Sequence, residues 1–561
     1  MSDDSRRGVL LSDFNIANLG GYLDGDPDEP AVEAHVTPFG QAIPILADPG
    51  HPAWRPIPAF AVVWTRPENV SESYRRLMQH EEIDADAVLR EVTDYAGLLT
   101  ALAARIPTVF VPSWTASETT GGLGMLDMKP GSGRTHMLAR MNLALGDACA
   151  GQSNIYILDA GRWLQCAGRA AFSPTLWYMA KVPFGPEVFR EAARSIKAAL
   201  RGLAGGARKL VILDLDDTIW GGIVGEVGWN GLRLGGHDPV GEAYADFQAA
   251  LKGLRRRGIL LAIASKNEES VALEAIRRHP DMALREEDFV DWRINWNDKG
   301  QNVDDLIAGL NLGRNAAVFI DDHPAERARV REALPDVLVP EWPHDPALFR
   351  GTLLTLRCFD VPSVSREDSA RTEMYSAERR REALRTSIGS VQDWLKSLAM
   401  RVTVEPLNPG NVARTTQLLN KTNQMNLATR RLTEPELTAW AARPGHALFT
   451  LRVADKFGDA GLTGILGLEA VDGALLIADF VLSCRVMGRR VEETMLALAV
   501  EHARNLGLRR VVAVHRPTER NVPCLRFFEQ CGLRSEGAGT FSWPISEDFP
   551  FPATIALERL P

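Results

Sequence analysis

The sequence predicts an α/β protein built in three segments, and three observations carry that prediction. Short apolar runs of strand length alternate with longer amphipathic stretches. The 561 residues exceed what one hydrophobic core serves, at about 100–200 residues per domain. Glycine-rich and charged stretches interrupt the pattern near residue 200 and again after residue 360. The expected divisions are 1–200, 205–360 and 395–545. With 45% hydrophobic and 24% charged residues, the composition is that of folded rather than disordered chain.

In the first segment VLLSDF, AFAVVWT, TVFVPSW and NIYILDA are strand-like runs, and ADAVLREVTDYAGLLTALAARI between them is an amphipathic helix. This order is the mark of a parallel sheet wrapped by helices, a Rossmann-like layout. The loop TTGGLGMLDMKPGSGRTH contains GSGRT but has neither the lysine nor the preceding strand of a phosphate-binding loop, so it reads as a connector. ALRGLAGGARK, residues 199–209, ends a helix in small residues and marks the first boundary.

The second segment opens on KLVILDLDDTIWGG, where a buried strand runs into three aspartates. The carboxyl edge of a strand is where open α/β sheets take ligands, so the position favours a site. Residues two apart in a strand share a face, which lets Asp214 and Asp216 approach one ligand while Leu215 turns into the core. Two carboxylates this close repel, which calls for a hard cation or a shared proton. Turn capping by Asp-Asp-Thr is the plainer explanation of those three residues alone. Downstream, however, LLAIASKN ends a strand at Ser265, WRINWNDKGQN offers Lys299, and AAVFIDDHP ends a strand at Asp321 and Asp322.

In this order the four motifs resemble those of the haloacid dehalogenase (HAD) superfamily, over roughly residues 207–345. The resemblance implies Asp214 as the nucleophile that accepts a phosphoryl group and Asp216 as general acid and base. It implies Ser265 and Lys299 as holders of the phosphoryl oxygens. It also implies Mg²⁺ held by Asp214, the Asp216 carbonyl, Asp321 and Asp322. His323 departs from the asparagine more usual there. The insert between Thr218 and GILLAIAS is short and glycine-rich, too small for a large cap domain, so the site is expected to be open.

After the charged stretch SVSREDSARTEMYSAERRREALR, read as a solvated connecting helix, the third segment gives strands RVTVEPL, ALFTLRVAD, TGILGLEAV and ALLIADFVLSC. RVMGRR, a helix from about Val491 to Leu506 and a strand RRVVAVH follow. The order of strand, R-x-x-G-x and helix resembles the Gcn5-related N-acetyltransferase (GNAT) fold, an α+β domain, and NVPCLRFFEQCGL supplies the later helix. The resemblance implies that Arg485, Gly488, Arg489, Arg490 and the helix N-terminus cradle a pantetheine-bearing cofactor. Arg490 replaces a small residue of that family, and Phe528 stands where a tyrosine acid is common. Cys484 ends the strand beside which the pantetheine arm would lie, where a thiol can exchange acyl groups. A buried cysteine acting as a small hydrophobe is the alternative, and Cys524 is the rival thiol.

Joined, and with LWYMAKVPF, DDTIWGGIVGE, LNKTNQMNLATRR and FVLSCRVMGRRVEE, the segments resemble the FkbH-like proteins of polyketide and related biosynthesis. The resemblance implies a bifunctional phosphatase and glyceryltransferase that takes 1,3-bisphosphoglycerate, a phosphorylated three-carbon substrate. The glyceryl unit would pass to the phosphopantetheine arm of an acyl carrier protein. A phosphatase with a silent C-terminal domain, a transferase for another short hydroxyacyl unit, and a carrier-binding scaffold are the alternatives. The first segment resembles the SGNH-hydrolase-like region of longer relatives, but Phe14 falls where the nucleophilic serine would be. A non-catalytic docking role is therefore expected of it, with Asp13, Asn15 and Asn18 as remnants or turn residues.

Composition bounds the partners. The net charge of −9 offers no overall basic footprint, so no nucleic acid is expected. The short basic clusters at 255–257, 379–381, 430–431 and 489–490 read as solvated faces, with only the last tied to a site. The six cysteines include no C-x-x-C pair, which suits a reducing compartment. No signal-like start and no run of about 18 apolar residues is present, so a cytoplasmic protein without a membrane partner is expected.

Overall fold

The structure is a computed structural model that describes residues 5–116, 122–362, 375, 381, 384–385, 388–518 and 520–560. The charged stretch 363–385 lies outside the described residues except for Tyr375, Arg381, Leu384 and Arg385.

The N-terminal sheet contains β1 (Arg6–Ser12), β2 (Val32–Val36), β3 (Phe60–Trp64), β4 (Val109–Pro112) and β5 (Ile155–Leu158). Their order is β2-β1-β3-β4-β5, and every neighbouring pair runs parallel. Val9, Leu11, Ala61, Val63, Val109 and Val111 enter the core on one face. Leu10, Phe60, Val62, Trp64 and Phe110 enter the core on the other. Alternation along each strand thus buries both faces, which is why these strands read as continuous apolar runs. The helix Ala85–Ala103 covers the first face through Val88, Val92, Tyr95 and Leu99. The helix Pro186–Leu203 covers the second through Val188, Ala192, Ile196 and Leu200, a stripe at helical spacing. β2 escaped the sequence reading because it is an edge strand whose residues alternate between buried and exposed.

The central sheet contains β6 (Leu210–Leu213), β7 (Leu260–Ser265), β8 (Phe289–Ile294) and β9 (Ala317–Ile320) in the order β8-β7-β6-β9. β6, β7 and β9 are buried throughout. Each stops where an expected site residue stands: Asp214 follows β6, Ser265 closes β7, and Asp321 follows β9.

The C-terminal sheet contains β10 (Met400–Pro406), β11 (Met425–Asn426), β12 (His446–Asp455), β13 (Gly458–Val471) and β14 (Ala474–Leu482). It continues with β15 (Arg510–Val514), β16 (Arg534–Gly537), β17 (Thr540–Pro544) and β18 (Ile555–Arg559). The order is β16-β17-β15-β14-β13-β12-β10-β18, with β11 paired to β14. β14 and β15 are parallel, so their connection crosses over through the helix Val491–Asn505. That helix buries Met495, Leu496, Ala499 and Ala503 in one core with Leu451, Leu466 and Phe480.

The expectation that the basic clusters are solvated faces holds for Arg256, Arg257 and Arg490, which are exposed, and is corrected for other members. Arg381 and Arg489 are 6% and 5% exposed, and both turn to Asp455. Arg430 pairs with the fully buried Asp479, and Arg255 with Asp288. The physical reason is that a carboxylate inside a fold needs a cation or strong donors, and the fold brings these aspartates to arginines distant in sequence.

Candidate active site

Asp214 leaves a strand with no exposed side chain and is itself only 7% exposed. Its Oδ2 meets Lys299 Nζ at 2.8 Å. Lys299 is the first residue of the helix Lys299–Gly309, whose Asp298 cap accepts from Gln301 N, so the start of the helix fixes where the ammonium emerges. Asp214 Oδ1 is buried and meets no donor among the described residues. The two oxygens are therefore inequivalent: one carries the cation, and the other stands open to a ligand.

Asp216 occupies a tight turn. Its Oδ1 accepts from Trp220 Nε1 at 2.8 Å and from Val224 N at 3.0 Å, and its Oδ2 accepts from Asn267 Nδ2 at 2.8 Å. A carboxylate has about four lone-pair sites, so one on Oδ2 remains for a substrate. Asp217 adopts φ +50° and accepts from Gly222 N at 2.7 Å, closing the loop in which Gly222 takes φ +98°. Only a residue without Cβ adopts that backbone freely, which accounts for the glycine in DDTIWGG.

Ser265 is 1% exposed at the end of β7, and its Oγ lies 3.4 Å from Asn267 Nδ2. Asn267 thus joins two expected site residues. Sequence reasoning passed over it because asparagine after a strand reads as a turn residue. Asp321 is fully buried and its Oδ1 accepts from His323 N at 2.8 Å, while Arg327 Nη1 donates to the carbonyls of Asp321 and Asp322 at 2.9 and 2.7 Å. Arg327 is a second residue that the sequence did not reveal, because an arginine in a charged helix reads as solvated. Asp214, Asp321 and Asp322 each offer a carboxylate oxygen, and these oxygens lie within 4.8 Å of one another. An all-oxygen set with one orphaned buried oxygen fits Mg²⁺, a hard cation of oxygen ligands.

In the C-terminal segment the backbone of Cys484 opens a short 3-10 turn directly after β14. The Cys484 side chain lies outside the described residues. Gly488 takes φ +72°, and its N–H donates to Glu492 Oε1 at 2.7 Å. Glu492 is 4% exposed, and its Oε2 meets no partner among the described residues. Burial pushes its carboxyl up to about 7. Arg489 points at Asp455, its Nη1 3.7 Å from Oδ2. Arg490 caps the helix Val491–Asn505 in the left-handed region and pairs with Glu493 at 3.3 Å. Arg485 N lies 3.5 Å from Ser483 Oγ. Cys524 is fully buried, which drives its thiol up to about 12, and Phe528 packs between Phe480 and Phe541 in the core.

In the N-terminal segment Phe14 is fully buried against Trp64 and Phe184. Asp13 Oδ2 accepts from Arg66 N at 2.9 Å and Asn69 Nδ2 at 2.7 Å, and burial raises its carboxyl to about 6. Asn15 Oδ1 accepts from Ala17 N at 3.0 Å, a turn at the start of a helix, and Asn18 is exposed.

No family model and no curated protein matches the chain. Among solved structures it is similar to the N-terminal part of a Bacteroides fragilis protein, a fragment containing a phosphatase domain and complexed with Mg. The identity is 27% and the TM-score 0.58, over 64% of this chain and 95% of that one. This likeness extends the α/β fold of that fragment to the matched part of the chain. Two shorter likenesses have a TM-score of 0.21 and cover 26% of this chain. One is the ribosomal-protein-S18-alanine N-acetyltransferase from Escherichia coli, at 9% identity over 95% of its chain. The other is a spermidine N-acetyltransferase mutant from Vibrio cholerae, at 16% identity over 94% of its chain.

Proposed function

We propose that this chain is an Mg²⁺-dependent phosphatase of the HAD type joined to an acyltransferase, and that it loads a glyceryl unit onto an acyl carrier protein. The observation that carries the phosphatase reading is the meeting of Asp214, Asp321 and Asp322 carboxylate oxygens, with Lys299 against Asp214. The Mg complex of the similar Bacteroides fragilis phosphatase fragment supports it.

In this reading an Asp214 oxygen attacks the phosphorus of the C3 phosphate ester, and the bond from phosphorus to the substrate oxygen breaks. Asp216 gives the leaving alkoxide a proton, then takes one from the water that hydrolyses the aspartyl phosphate and frees Asp214. Ser265 and Lys299 hold the phosphoryl oxygens, and Asn267 orients Asp216. Mg²⁺ on Asp214, Asp321 and Asp322, with the Asp216 carbonyl, would supply the positive charge that a phosphoryl group gathering negative charge needs.

The acyl phosphate at C1 is already activated. The Cys484 thiolate attacks its carbonyl carbon, phosphate leaves, and the carrier's phosphopantetheine thiol then takes the acyl group by transthioesterification. Cys484 precedes the Val491–Asn505 helix in sequence, and a thiol brought to that helix N-terminus would be favoured as the thiolate. Cys524 is a poor rival, since a thiol driven up to about 12 stays protonated at neutral pH.

A phosphatase with a silent C-terminal segment is the second reading. It is favoured by the Gly488 N–H, which is already held by Glu492 where an anionic cofactor would bind. Incubation with holo carrier protein and 1,3-bisphosphoglycerate, followed by intact-mass measurement of the carrier, separates the two. A glyceryl adduct that is lost with Cys484→Ser supports transfer. Release of phosphate with an unmodified carrier supports the second reading.

A further inference from the structure

A cavity of 190 Å³ opens in the N-terminal segment, lined among others by Phe14, Trp64, Arg66, Thr115, Trp177 and Phe184. Its place follows from the topology. In the order β2-β1-β3-β4-β5, the connections after β1 and β3 leave toward opposite edges of the sheet. The crevice outside the carboxyl ends of two such strands is where open parallel sheets take ligands. Phe14 comes just after β1, Trp64 ends β3 with Arg66 next but one, and Thr115 follows β4.

The walls are aromatic and fixed. Trp64 stacks on Phe184 with ring centroids 5.2 Å apart and planes 20° from parallel, and Phe14 meets both rings edge-on at 5.5 and 5.6 Å. All three side chains are buried. At the polar end the Arg66 guanidinium lies 4.5 Å over the Trp177 ring. Its backbone N–H is tied to Asp13 Oδ2, so the turn that presents it is anchored. Glu68 takes Nη1 at 3.3 Å, and among the described residues the buried Nε–H meets no acceptor and Asp13 Oδ1 meets no donor. The Arg66 side chain lines the cavity and keeps 26% of its surface exposed, so its guanidinium can meet an acceptor that a ligand brings there.

We propose that this cavity binds a small organic acid, with its carboxylate on the Arg66 guanidinium and its apolar body against the rings of Trp64, Trp177 and Phe184. The volume of 190 Å³ suits a ligand of about the size of a benzoate or a short acyl chain. The site is independent of the phosphatase chemistry, and it gives the N-terminal segment a binding role where Phe14 stands in place of a nucleophile.

Calorimetric titration of the full chain with benzoate and with butyrate, against benzamide and butyramide, tests the proposal. Saturable binding of at least one acid is expected, at least about tenfold tighter than its uncharged amide. Arg66→Gln should weaken that binding by about tenfold or more, and Thr115→Phe should abolish it by filling the space. Phosphatase turnover should stay unchanged in both variants, and thermal unfolding profiles matching the parent's show that the N-terminal segment still folds. Absence of saturable binding by either acid overturns the proposal. So does equal binding of acid and amide, or an Arg66→Gln protein that binds as the parent does.

Discussion

Replacing Lys299 by Met removes the cation that Asp214 Oδ2 faces at 2.8 Å, in a pair whose side chains are only 3% and 10% exposed. At that distance the gross attraction is about 6 kcal/mol for an effective dielectric near 20. Much of it is offset by the desolvation of both ions. The deletion leaves the other ion buried without this partner, and removing one member of such a pair costs about 3–5 kcal/mol. In a domain of roughly 150 residues that is a fall of about 10 °C in the corresponding thermal transition. The measurement is made in chelator, since a divalent cation would partly replace the missing charge. The double variant Lys299→Met/Asp214→Asn no longer buries the lone charge, so it should recover most of the loss. Phosphatase turnover should drop at least about 100-fold in the single variant, the scale for losing one preorganised charge at a reacting centre. A Lys299→Met protein that melts within about 1 kcal/mol of the parent, or no more stably once Asp214→Asn is added, would refute the argument from burial.

Asn267→Ala removes one of three donors on Asp216 and should lower kcat by about tenfold with little change in KM, since the loss of about 1.4 kcal/mol falls on the group that moves protons. Asn267→Asp should be worse, because it sets a second carboxylate against Asp216. Glu492 keeps its proton in the folded chain up to about 7, against an ordinary 4.5, so the folded state binds the extra proton between those values. Its contribution to stability is whole below about 4.5 and is lost as pH rises through about 7, amounting to about 3 kcal/mol across the window. Denaturant melts of Glu492→Gln should therefore show a flatter pH dependence from about 5 to 8 and a gain over the parent at the alkaline end. Cys524→Ala should retain carrier acylation, because its thiol is sealed in the core; loss of acylation with normal folding would move the acyl site from Cys484 to Cys524.

Much of this arrangement is legible in the amino-acid sequence. β6, β7 and β9 are wholly buried, so each reads as a continuous apolar run, and the change to Asp214, Ser265 and Asp321 marks both the strand end and the site. In the C-terminal segment β10, β12, β13, β14 and β15 were legible for a related reason, alternating or continuous apolar patterning. What stayed hidden depends on contacts between residues far apart in sequence or on residue types with a commoner role. Asn267 looks like a turn residue until it is found 2.8 Å from Asp216, 51 positions away. Arg381 and Arg489 sit in basic clusters that suggest solvent, and only the position of Asp455 explains their burial. Glu492 reads as an acidic residue favoured by the first turn of a helix. Its capture of the Gly488 N–H, where the pattern suggested an anion cradle, needs the turn geometry to be seen. β2 was missed because an edge strand with exposed Glu33 and His35 carries little apolar signal.

The central claim is that Asp214 takes a phosphoryl group beside a divalent cation shared with Asp321 and Asp322. Its most direct test is the intact mass of the protein, quenched in acid during turnover of a phosphorylated substrate with Mg²⁺ present. The account predicts a gain of one phosphoryl group, localised to the peptide containing Asp214 after borohydride reduction. That gain should vanish with chelator, with Asp214→Asn and with Asp321→Asn. A phosphoryl adduct on another residue, or phosphate release that continues at the parent rate in Asp214→Asn, would contradict it.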